Sequence, residues 1–246
     1  MRLKVLSSGS KANGYLISDG VETLIIECGV KLIEVKKALD FDLSSISGCL
    51  LTHFHADHMA FVDQYLDAGI EVFTSQETID NFQFKKSLRP TPCEAQKKFK
   101  VGNFTILPFP TVHDAVGSYG YVINHKKTDN VLFLTDSYYS KFKSSYINHF
   151  MVESNWCPNI VHDNIEKGRI SPSMLMRLRT SHMSIKTCMQ LLEANDLSKV
   201  KNIVLIHLSA ANSNAKDFQK QVTGLTGKKV TIAKSGLELD FNLKTF

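Results

Sequence analysis

Short runs of hydrophobic residues recur along the chain, and each is about as long as a β-strand. The runs are rich in Val, Ile, Leu and Phe, which at this length favour strands. Ten of them are predicted as strands: Leu3–Leu6, Thr23–Ile26, Cys49–Thr52, Glu71–Thr74, Phe104–Leu107, Val131–Thr135, Phe150–Glu153, Ile203–Ile206, Val230–Ala233 and Leu237–Phe241.

Helical spacing of apolar residues occurs between several of these runs. Leu32–Leu39 is one predicted helix. A second carries an apolar stripe at i, i+3, i+4 and i+7, formed by Ile185, Cys188, Met189 and Leu192. Ser184 is placed to cap that helix at its N-terminus, and Asn214 to cap a helix that runs toward Val222. Strands that alternate with helices predict an α/β protein whose sheets are covered by helices.

The composition is that of a globular protein, because 43% of the 246 residues are hydrophobic and 22% are charged. It argues against a disordered or fibrous chain. No repeat, low-complexity tract or Gly/Ser-rich linker divides the sequence, so one domain over residues 1–246 is expected. No apolar stretch reaches the roughly 18 residues of a membrane span, and the N-terminus lacks the apolar core of a secretory signal.

The cysteines are odd in number, scattered and without a CxxC pair: Cys28, Cys49, Cys93, Cys157 and Cys188. This pattern predicts reduced, buried thiols rather than a disulfide framework. With no membrane span or signal visible, a cytoplasmic location is expected.

The charge balance is mildly basic, with 29 Lys and Arg against 24 Asp and Glu and a net charge of +5, which fits an anionic substrate. The positive charge is concentrated in one segment with a single acid, Glu94, and six basic residues: Lys85, Lys86, Arg89, Lys97, Lys98 and Lys100. Basic surface runs are common, so a solvated loop is the first interpretation and a contact with nucleic acid the second.

The metal-binding chemistry is concentrated in residues 51–58, which read LTHFHADH and contain the pattern HxHxDH directly after a predicted strand. If these three histidines and the aspartate were buried without another role, each would need its own hydrogen-bond partners. Neutral imidazole and carboxylate groups are ligands for zinc and similar ions. In a loop, His53 and His55 can share one metal ion while Asp57 and His58 turn toward a second.

Further ligands are offered where other predicted strands end. His113, Asp136 and His207 each come shortly after such a strand. A lone histidine after an apolar strand is more often structural than a ligand. These residues are therefore candidate metal ligands only in combination with the HxHxDH pattern.

The combined pattern resembles the ordered motifs of the metallo-β-lactamase superfamily, which are HxHxDH, then His, then Asp, then His. The resemblance covers nearly the whole chain and implies an αββα sandwich with two divalent metal ions, Zn²⁺ or alternatively Mn²⁺, at one edge of the two sheets. The ligands that it implies are His53, His55 and His113 for the first ion, Asp57, His58 and His207 for the second, and Asp136 as the bridge.

One position departs from the family pattern. The family usually has an Asp, in a DxG pattern, at the end of an early strand, where this chain reads Glu27-Cys28-Gly29. In the family that carboxylate orients the metal loop. Glu27 is expected either to take over this role with its longer side chain or to leave it unfilled.

Two segments resemble the phosphodiesterase side of the superfamily, which includes tRNase Z. Residues 150–155 (FMVESN) resemble the segment with a catalytic glutamate, here Glu153, and residues 180–184 (TSHMS) resemble the one with its histidine partner, here His182. With the metal-binding Asp57, these are the expected catalytic residues. Alternatively, Glu153 is an acid at a strand end and His182 a histidine at a helix terminus, and neither has a catalytic role.

Three segments look like the YycJ-type branch and like bacteriophage anti-Pycsar phosphodiesterases: SSGSKANG (7–14), HDAVG (113–117) and HLSAAN (207–212). The resemblance implies hydrolysis of cyclic mononucleotides through a hydroxide held by two metal ions, as a phage counter-defence in the host cytoplasm. A YycJ-like 5′–3′ exonuclease acting on single-stranded nucleic acid is the alternative. A homodimer is also implied.

A nucleic-acid-binding module with structural metals is a different class of function. Structural zinc sites are closed and commonly rich in thiolates. Here the ligand motifs contain only His and Asp, and a bridging position is implied. The ligand set therefore favours catalysis.

Overall fold

The computed structural model describes residues 1–84 and 87–242. The strands in these ranges are β1 (Arg2–Ser7), β2 (Gly14–Ser18), β3 (Thr23–Ile26), β4 (Ile46–Leu50), β5 (Val72–Thr74), β6 (Thr91–Pro92), β7 (Phe99–Val101), β8 (Phe104–Pro110), β9 (Tyr119–His125), β10 (Asp129–Leu134), β11 (His149–Glu153), β12 (Asn202–Ile206), β13 (Lys229–Ile232) and β14 (Glu238–Asp240). The helices are α1 (Leu32–Ala38), α2 (Ala56–Met59), α3 (Val62–Asp67), α4 (Gln76–Asp80), α5 (Pro158–Glu166), α6 (Pro172–Ser181), α7 (Ile185–Glu193) and α8 (Ala215–Thr226).

The strands form two sheets, each of seven strands within the described residues. The first has the order β14-β1-β2-β3-β4-β5-β6, and the second has the order β13-β12-β11-β10-β9-β8-β7. Strands β3 to β6 run parallel, as do β10 to β13. Strand β9 is antiparallel to both β8 and β10, so these two run in the same direction. The carboxyl ends of β8, β10, β11 and β12 therefore lie at one edge of the second sheet.

Side chains alternate between the two faces of each sheet, which produces three buried layers. Leu24 of β3 and Phe133 of β10 are fully buried between the sheets. Their neighbours point the other way: Ile25 packs against α1 and α3, and Leu132 packs against α7 and α8. Burying each such side chain contributes about 1.5–3 kcal/mol. The protein is thus the αββα sandwich that the sequence predicts.

The predicted elements are present, with small shifts at their ends. Each of the ten predicted strands overlaps a strand of the structure, and α1 and α7 match the predicted helices. The Ser184 hydroxyl accepts a hydrogen bond from Thr187 N–H, and the Asn214 side chain accepts one from Asp217 N–H, so both predicted N-caps are confirmed.

Four strands were missed: β2, β6, β7 and β9. Strand β9 reads YGYVINH, in which a glycine and polar residues interrupt the hydrophobic pattern. The structure explains that glycine, because a Cβ on Gly120 would lie 2.4 Å from the Phe109 ring of β8. Tertiary packing, rather than local pattern, makes this segment a strand.

Two helices are inserted between β11 and α7 at the edge where the strand ends meet. Each begins with a proline, Pro158 in α5 and Pro172 in α6, where the missing N–H costs no helical hydrogen bond. Trp156, Val161 and Leu178 are buried beneath these helices in a small core separate from the sheets. We call residues 158–181 the helical cap.

The remaining expectations from the sequence concern the cysteines, membrane-spanning helices and the basic segment. All five cysteines are free, as predicted, and four of them are buried, whereas Cys157 is half-buried. Within the described ranges, no helix combines the length and hydrophobicity needed to cross a bilayer. Lys85 and Lys86 lie outside the described residues, and the other basic residues of their segment are exposed: Arg89, Lys97, Lys98 and Lys100.

Candidate metal centre

Six of the strands that end at one edge of the sandwich each lead into a polar side chain. Because these strands share a direction within their sheets, their carboxyl ends meet, which is where α/β proteins usually place their sites. The residues are Glu27 after β3, His53 after β4, His113 after β8, Asp136 after β10, Glu153 at the end of β11 and His207 after β12.

The HxHxDH segment turns from β4 into the short helix α2. His53 and His55 precede this helix, whereas Asp57 and His58 lie on it. The loop after β3 packs closely against α2, and Cys28 N–H donates to the His58 carbonyl oxygen at 2.7 Å. Gly29 permits this approach, because a Cβ there would lie 1.9 Å from the Asp57 carbonyl oxygen.

A first group of ligand atoms comes from His53, His55, His113 and Asp136, all within 4.8 Å of one another. His113 Nε2 is 3.1 Å from His55 Nδ1, and His53 Nε2 is 3.5 Å from Asp136 Oδ2. Atoms bound at 2.0–2.1 Å to one tetrahedral ion lie about 3.3 Å apart. The spacing in this group is close to that of ligands around one ion.

Hydrogen bonds fix the tautomers of two histidines in the first group. Thr52 Oγ1 donates to Glu27 Oε1 at 2.6 Å, so it accepts from His53 Nδ1, 2.9 Å away. The Ser181 carbonyl oxygen accepts from His113 Nδ1 at 2.9 Å. A neutral imidazole that donates from Nδ1 has its lone pair on Nε2. In both residues Nε2 is the nitrogen that faces the ligand group.

Glu27 reaches the metal loop from the position where the family usually has Asp. Its buried carboxylate accepts hydrogen bonds from both N–H and Oγ1 of Thr52 and lies 3.3 Å from His58 Nδ1. The longer side chain therefore makes contacts that hold the loop, which the sequence left open.

A second group of ligand atoms comes from Asp57, His58, Asp136 and His207. Asp57 Oδ2 lies 3.3 Å from His58 Nε2 and 3.1 Å from His207 Nε2. Asp136 Oδ2 lies 3.1 Å from His58 Nε2, in addition to its contact with the first group. Asp136 is therefore shared by the two groups.

Two buried amide side chains support the second group, and the sequence analysis assigned neither of them a role. Asn13 Nδ2 lies 3.3 Å from Asp57 Oδ2 and 3.2 Å from His58 Nε2. Asn155 Nδ2 donates to the His207 carbonyl oxygen at 2.8 Å. Because an amide N–H only donates, Asn13 can donate to Asp57 Oδ2 and so hold this carboxylate beside His58.

Three residues at the same edge have a strained backbone conformation. Glu27, Asp136 and His207 have φ values of 71°, 43° and 55°, in the left-handed region that residues other than glycine rarely adopt. Such a conformation costs on the order of 1–3 kcal/mol. Each of these residues lies within two positions of a strand end, where a sharp turn directs its side chain into the site.

Glu153 and His182 form a pair beside the second group. His182 Nδ1 is 2.8 Å from Glu153 Oε1, which also lies 3.2 Å from His207 Nδ1. The backbone N–H groups of Met183 and Ser137 donate to Glu153 Oε2. Burial lowers the pKa of His182, but the charge and hydrogen bond of Glu153 outweigh burial and raise that pKa above its usual value.

The donor set fits divalent cations. The site contains four carboxylates, Glu27, Asp57, Asp136 and Glu153, whose ion-pair partners among the described residues are histidines. Buried carboxylates without a cation are unfavourable, and metal ions would balance their charge. His53 Nε2 is buried and has no hydrogen-bond partner within the described ranges, as expected of an atom that binds a metal.

A cavity of about 260 Å³ opens onto these groups. On one side it is lined by His55, Asp57, Asp136, His182 and His207. On the other side it is lined by one face of the helical cap: Met174, Arg177 and Leu178. The remaining wall is polar and consists of Ser10, Asn155, Ser209 and Asn212.

Comparison with known proteins agrees with this geometry. A family model described as "Beta-lactamase superfamily domain" matches residues 23–208, which include all of the predicted metal ligands. The chain belongs to the metallo-β-lactamase superfamily. With its His and Asp ligand groups, the protein is a metallo-hydrolase of that superfamily. A search of curated protein sequences finds no significant match.

Several solved structures of this superfamily are similar over nearly the whole chain. The metallo-β-lactamase fold protein YhfI from Bacillus subtilis has a TM-score of 0.73 at 18% identity and covers 97% of this chain and 99% of its own. A diphosphatase of the PhnP family has a TM-score of 0.66 at 15% identity, with 98% of both chains covered. The short form of human tRNase Z has a TM-score of 0.63 at 15% identity, with 98% of this chain and 99% of that chain covered. At these identities the similarity establishes the fold.

The structure brings together the nine residues that the sequence predicts as metal ligands or catalytic groups: His53, His55, Asp57, His58, His113, Asp136, Glu153, His182 and His207. Their roles as ligands and catalytic groups stay predictions. Asn13, Asn155 and Arg177 were not assigned roles. The first two lie inside the SSGSKANG and FMVESN segments, which were the one signal that could have identified them.

Proposed function

We propose that the protein is a metal-dependent phosphodiesterase that hydrolyses cyclic mononucleotides. The observation that carries this proposal is the cavity of about 260 Å³ directly beside two ligand groups that share Asp136. Small-molecule sites commonly have volumes of about 300–1,000 Å³, so this cavity is slightly smaller than that range. It suits one nucleotide better than a polymer.

The donor chemistry supports two divalent ions, Zn²⁺ in preference to Mn²⁺, because imidazole and carboxylate ligands with this spacing suit zinc. The ligands proposed are His53, His55 and His113 for the first ion, Asp57, His58 and His207 for the second, and Asp136 for both. When bound, such a pair supplies an activated water molecule and positive charge for the phosphoryl group.

His182 is the residue that we propose as the proton donor to the leaving ribose oxygen. It lines the cavity, and Glu153 holds its Nδ1, which leaves Nε2 available to the substrate. A ribose oxygen is a poor leaving group unless it receives a proton as its bond to phosphorus breaks. The proton would pass from Nε2 to that oxygen.

The basic segment supports a small substrate rather than a long one. Lys97, Lys98 and Lys100 are exposed, and none of them lines the site cavity. Lys98 instead lines a separate cavity on the outer face of β8 and β9. A protein that binds a long single strand needs a positively charged groove that follows the strand, and these lysines do not extend the site.

A product assay tests the proposal. The metal-loaded protein would be incubated with 3′,5′-cyclic UMP, CMP, GMP and AMP and, in parallel, with single-stranded DNA and RNA. We expect a cyclic nucleotide to give the highest kcat/KM and the His53→Ala variant to be inactive. Preferred hydrolysis of the oligonucleotides would replace the proposal with an exonuclease of the YycJ type.

A role in phage counter-defence, a location in the host cytoplasm and a homodimer stay predictions from the sequence. Sedimentation or light scattering of the purified protein would test the homodimer.

A further inference from the structure

Arg177 differs from every other described residue that lines the site cavity, because it is the one Lys or Arg among them. It lies on α6 of the helical cap, on the same helix face as Met174 and Leu178. Leu178 is buried in the core of the cap, which fixes how this face is presented to the cavity. Arg177 itself is exposed, and its charge acts on the Asp114 carboxyl, which lies 3.1 Å from His113 Nε2 beside the first ligand group.

The cavity therefore has two chemically different walls. One consists of ligand groups at the strand ends, and the other presents a single guanidinium beside the apolar side chains of Met174 and Leu178. A guanidinium binds phosphate oxygens through two parallel N–H bonds, and it keeps its charge at any physiological pH. An exposed arginine loses little hydration when it binds an anion at the mouth of a cavity.

We propose that Arg177 binds a non-bridging oxygen of the substrate phosphate from the cap side, opposite the ligand groups. This inference rests on the proposed function. A phosphodiester has two non-bridging oxygens, so one can face the ligand groups while the other faces Arg177. The organic part of the substrate then lies against Met174 and Leu178. Arg177 is thus a residue that selects a compact phosphodiester anion.

Three variants test the assignment by steady-state kinetics with a cyclic nucleotide. Arg177→Ala should raise KM by about 10–100-fold, because a charged hydrogen bond is lost, while kcat changes much less. Arg177→Lys should recover part of this loss, since lysine keeps the positive charge but cannot form the two parallel N–H bonds of a guanidinium. Arg179→Ala is the matched control, because Arg179 is exposed on the same helix and does not line the cavity. It should behave as wild type.

Calorimetric titration with inorganic phosphate gives a readout without turnover. The metal-loaded Arg177→Ala protein should bind phosphate about 10–100-fold more weakly than wild type and the Arg179→Ala control. Equal phosphate binding by wild type and Arg177→Ala would overturn the inference, as would a fall in kcat with KM unchanged. If Arg177→Ala does not fold by circular dichroism, Arg177→Gln and Arg177→Lys decide in its place. If wild type hydrolyses no phosphodiester, the proposed function fails, but the phosphate titration still decides the role of Arg177.

Discussion

The two ligand groups that share Asp136 differ in how the protein encloses them. In the first group the His55 side chain is 31% exposed, and its neighbour Asp114 is 43% exposed. In the second group the side chains of His58 and His207 are fully buried, and the most exposed ligand, Asp57, is 21% exposed. The outermost ligand of the first group is therefore more open to the solvent than that of the second, although the side chains of His53 and His113 of the first group are buried as well.

The supporting contacts differ in the same way. The first group is oriented by one hydroxyl, that of Thr52, and by the backbone carbonyl of Ser181. The second is contacted by the Asn13 amide, and the backbone N–H of His207 donates to the Ser8 hydroxyl at 2.9 Å. Outer contacts of this kind typically change metal affinity by about 10–100-fold. We expect that an ion in the second group would be bound more firmly and that an ion in the first group would exchange more readily.

The largest effect is expected from the residue that the groups share. Asp136→Asn keeps the size of the side chain but removes its charge from both groups. Both ions should be lost, and phosphodiesterase activity should fall by at least about 10⁴-fold, because no activated water forms. Metal analysis and circular dichroism would check this.

Variants that remove a ligand from only one group are the comparison for Asp136→Asn. His53→Ala should deplete the first ion and Asp57→Ala the second, each with loss of activity and little loss of folded structure, since these residues lie outside the buried core layers. Full activity of either variant, or unfolding at 25 °C, would contradict the ligand assignment.

The next effect concerns the Glu153–His182 pair beside the second group. His182→Ala should slow hydrolysis of a natural phosphodiester by about 10²–10⁴-fold, the usual range for general acid catalysis. It should slow bis-p-nitrophenyl phosphate much less, because nitrophenolate leaves without a proton. Glu153→Gln should give the same pattern with a smaller loss. Equal losses on both substrates would show that His182 acts on the metals or on binding.

The difference between the two groups also shows what could be predicted from the sequence. The candidate ligands could be named from the sequence because four of them lie within the six residues of HxHxDH and the others shortly follow strong hydrophobic runs. The layers of sheets and helices could be predicted because strand-length hydrophobic runs alternate with helical patterns along the chain. Asn13 lies in neither kind of pattern, since its contacts with Asp57 and His58 form only in the folded chain. Arg177 is brought to the cavity only by the fold of the helical cap. Glu27 needed the structure to show that its side chain reaches Thr52 and His58.

A smaller effect on metal affinity is expected when a supporting contact of only one group is removed. Asn13→Ala should weaken the second ion by about 10–100-fold and leave the first nearly unchanged, whereas Thr52→Val should weaken the first ion more than the second, which Thr52 reaches only through Glu27. Competition with a chromogenic chelator would measure both affinities, and thermal unfolding would serve as the folding control. If both variants weakened the same ion more strongly, the division into two groups would be wrong.

The smallest effect is expected far from both groups. Replacing Lys97, Lys98 and Lys100 with Gln should change kcat/KM for a cyclic nucleotide by less than about twofold, because these exposed lysines are screened by salt and do not line the cavity. Kinetics at two salt concentrations would check this. A large loss, with a steep salt dependence on DNA, would favour the exonuclease.

The most direct test of a pair of ions held by Asp136 is a manganese titration of the metal-free protein, followed by electron paramagnetic resonance. We predict two equivalents of bound Mn²⁺ per chain and, at the second equivalent, the spectrum of a spin-coupled pair, because both ions would contact one carboxylate. The Asp136→Asn variant should show no coupled signal. One equivalent per chain, or two uncoupled ions in the wild-type protein, would contradict the account.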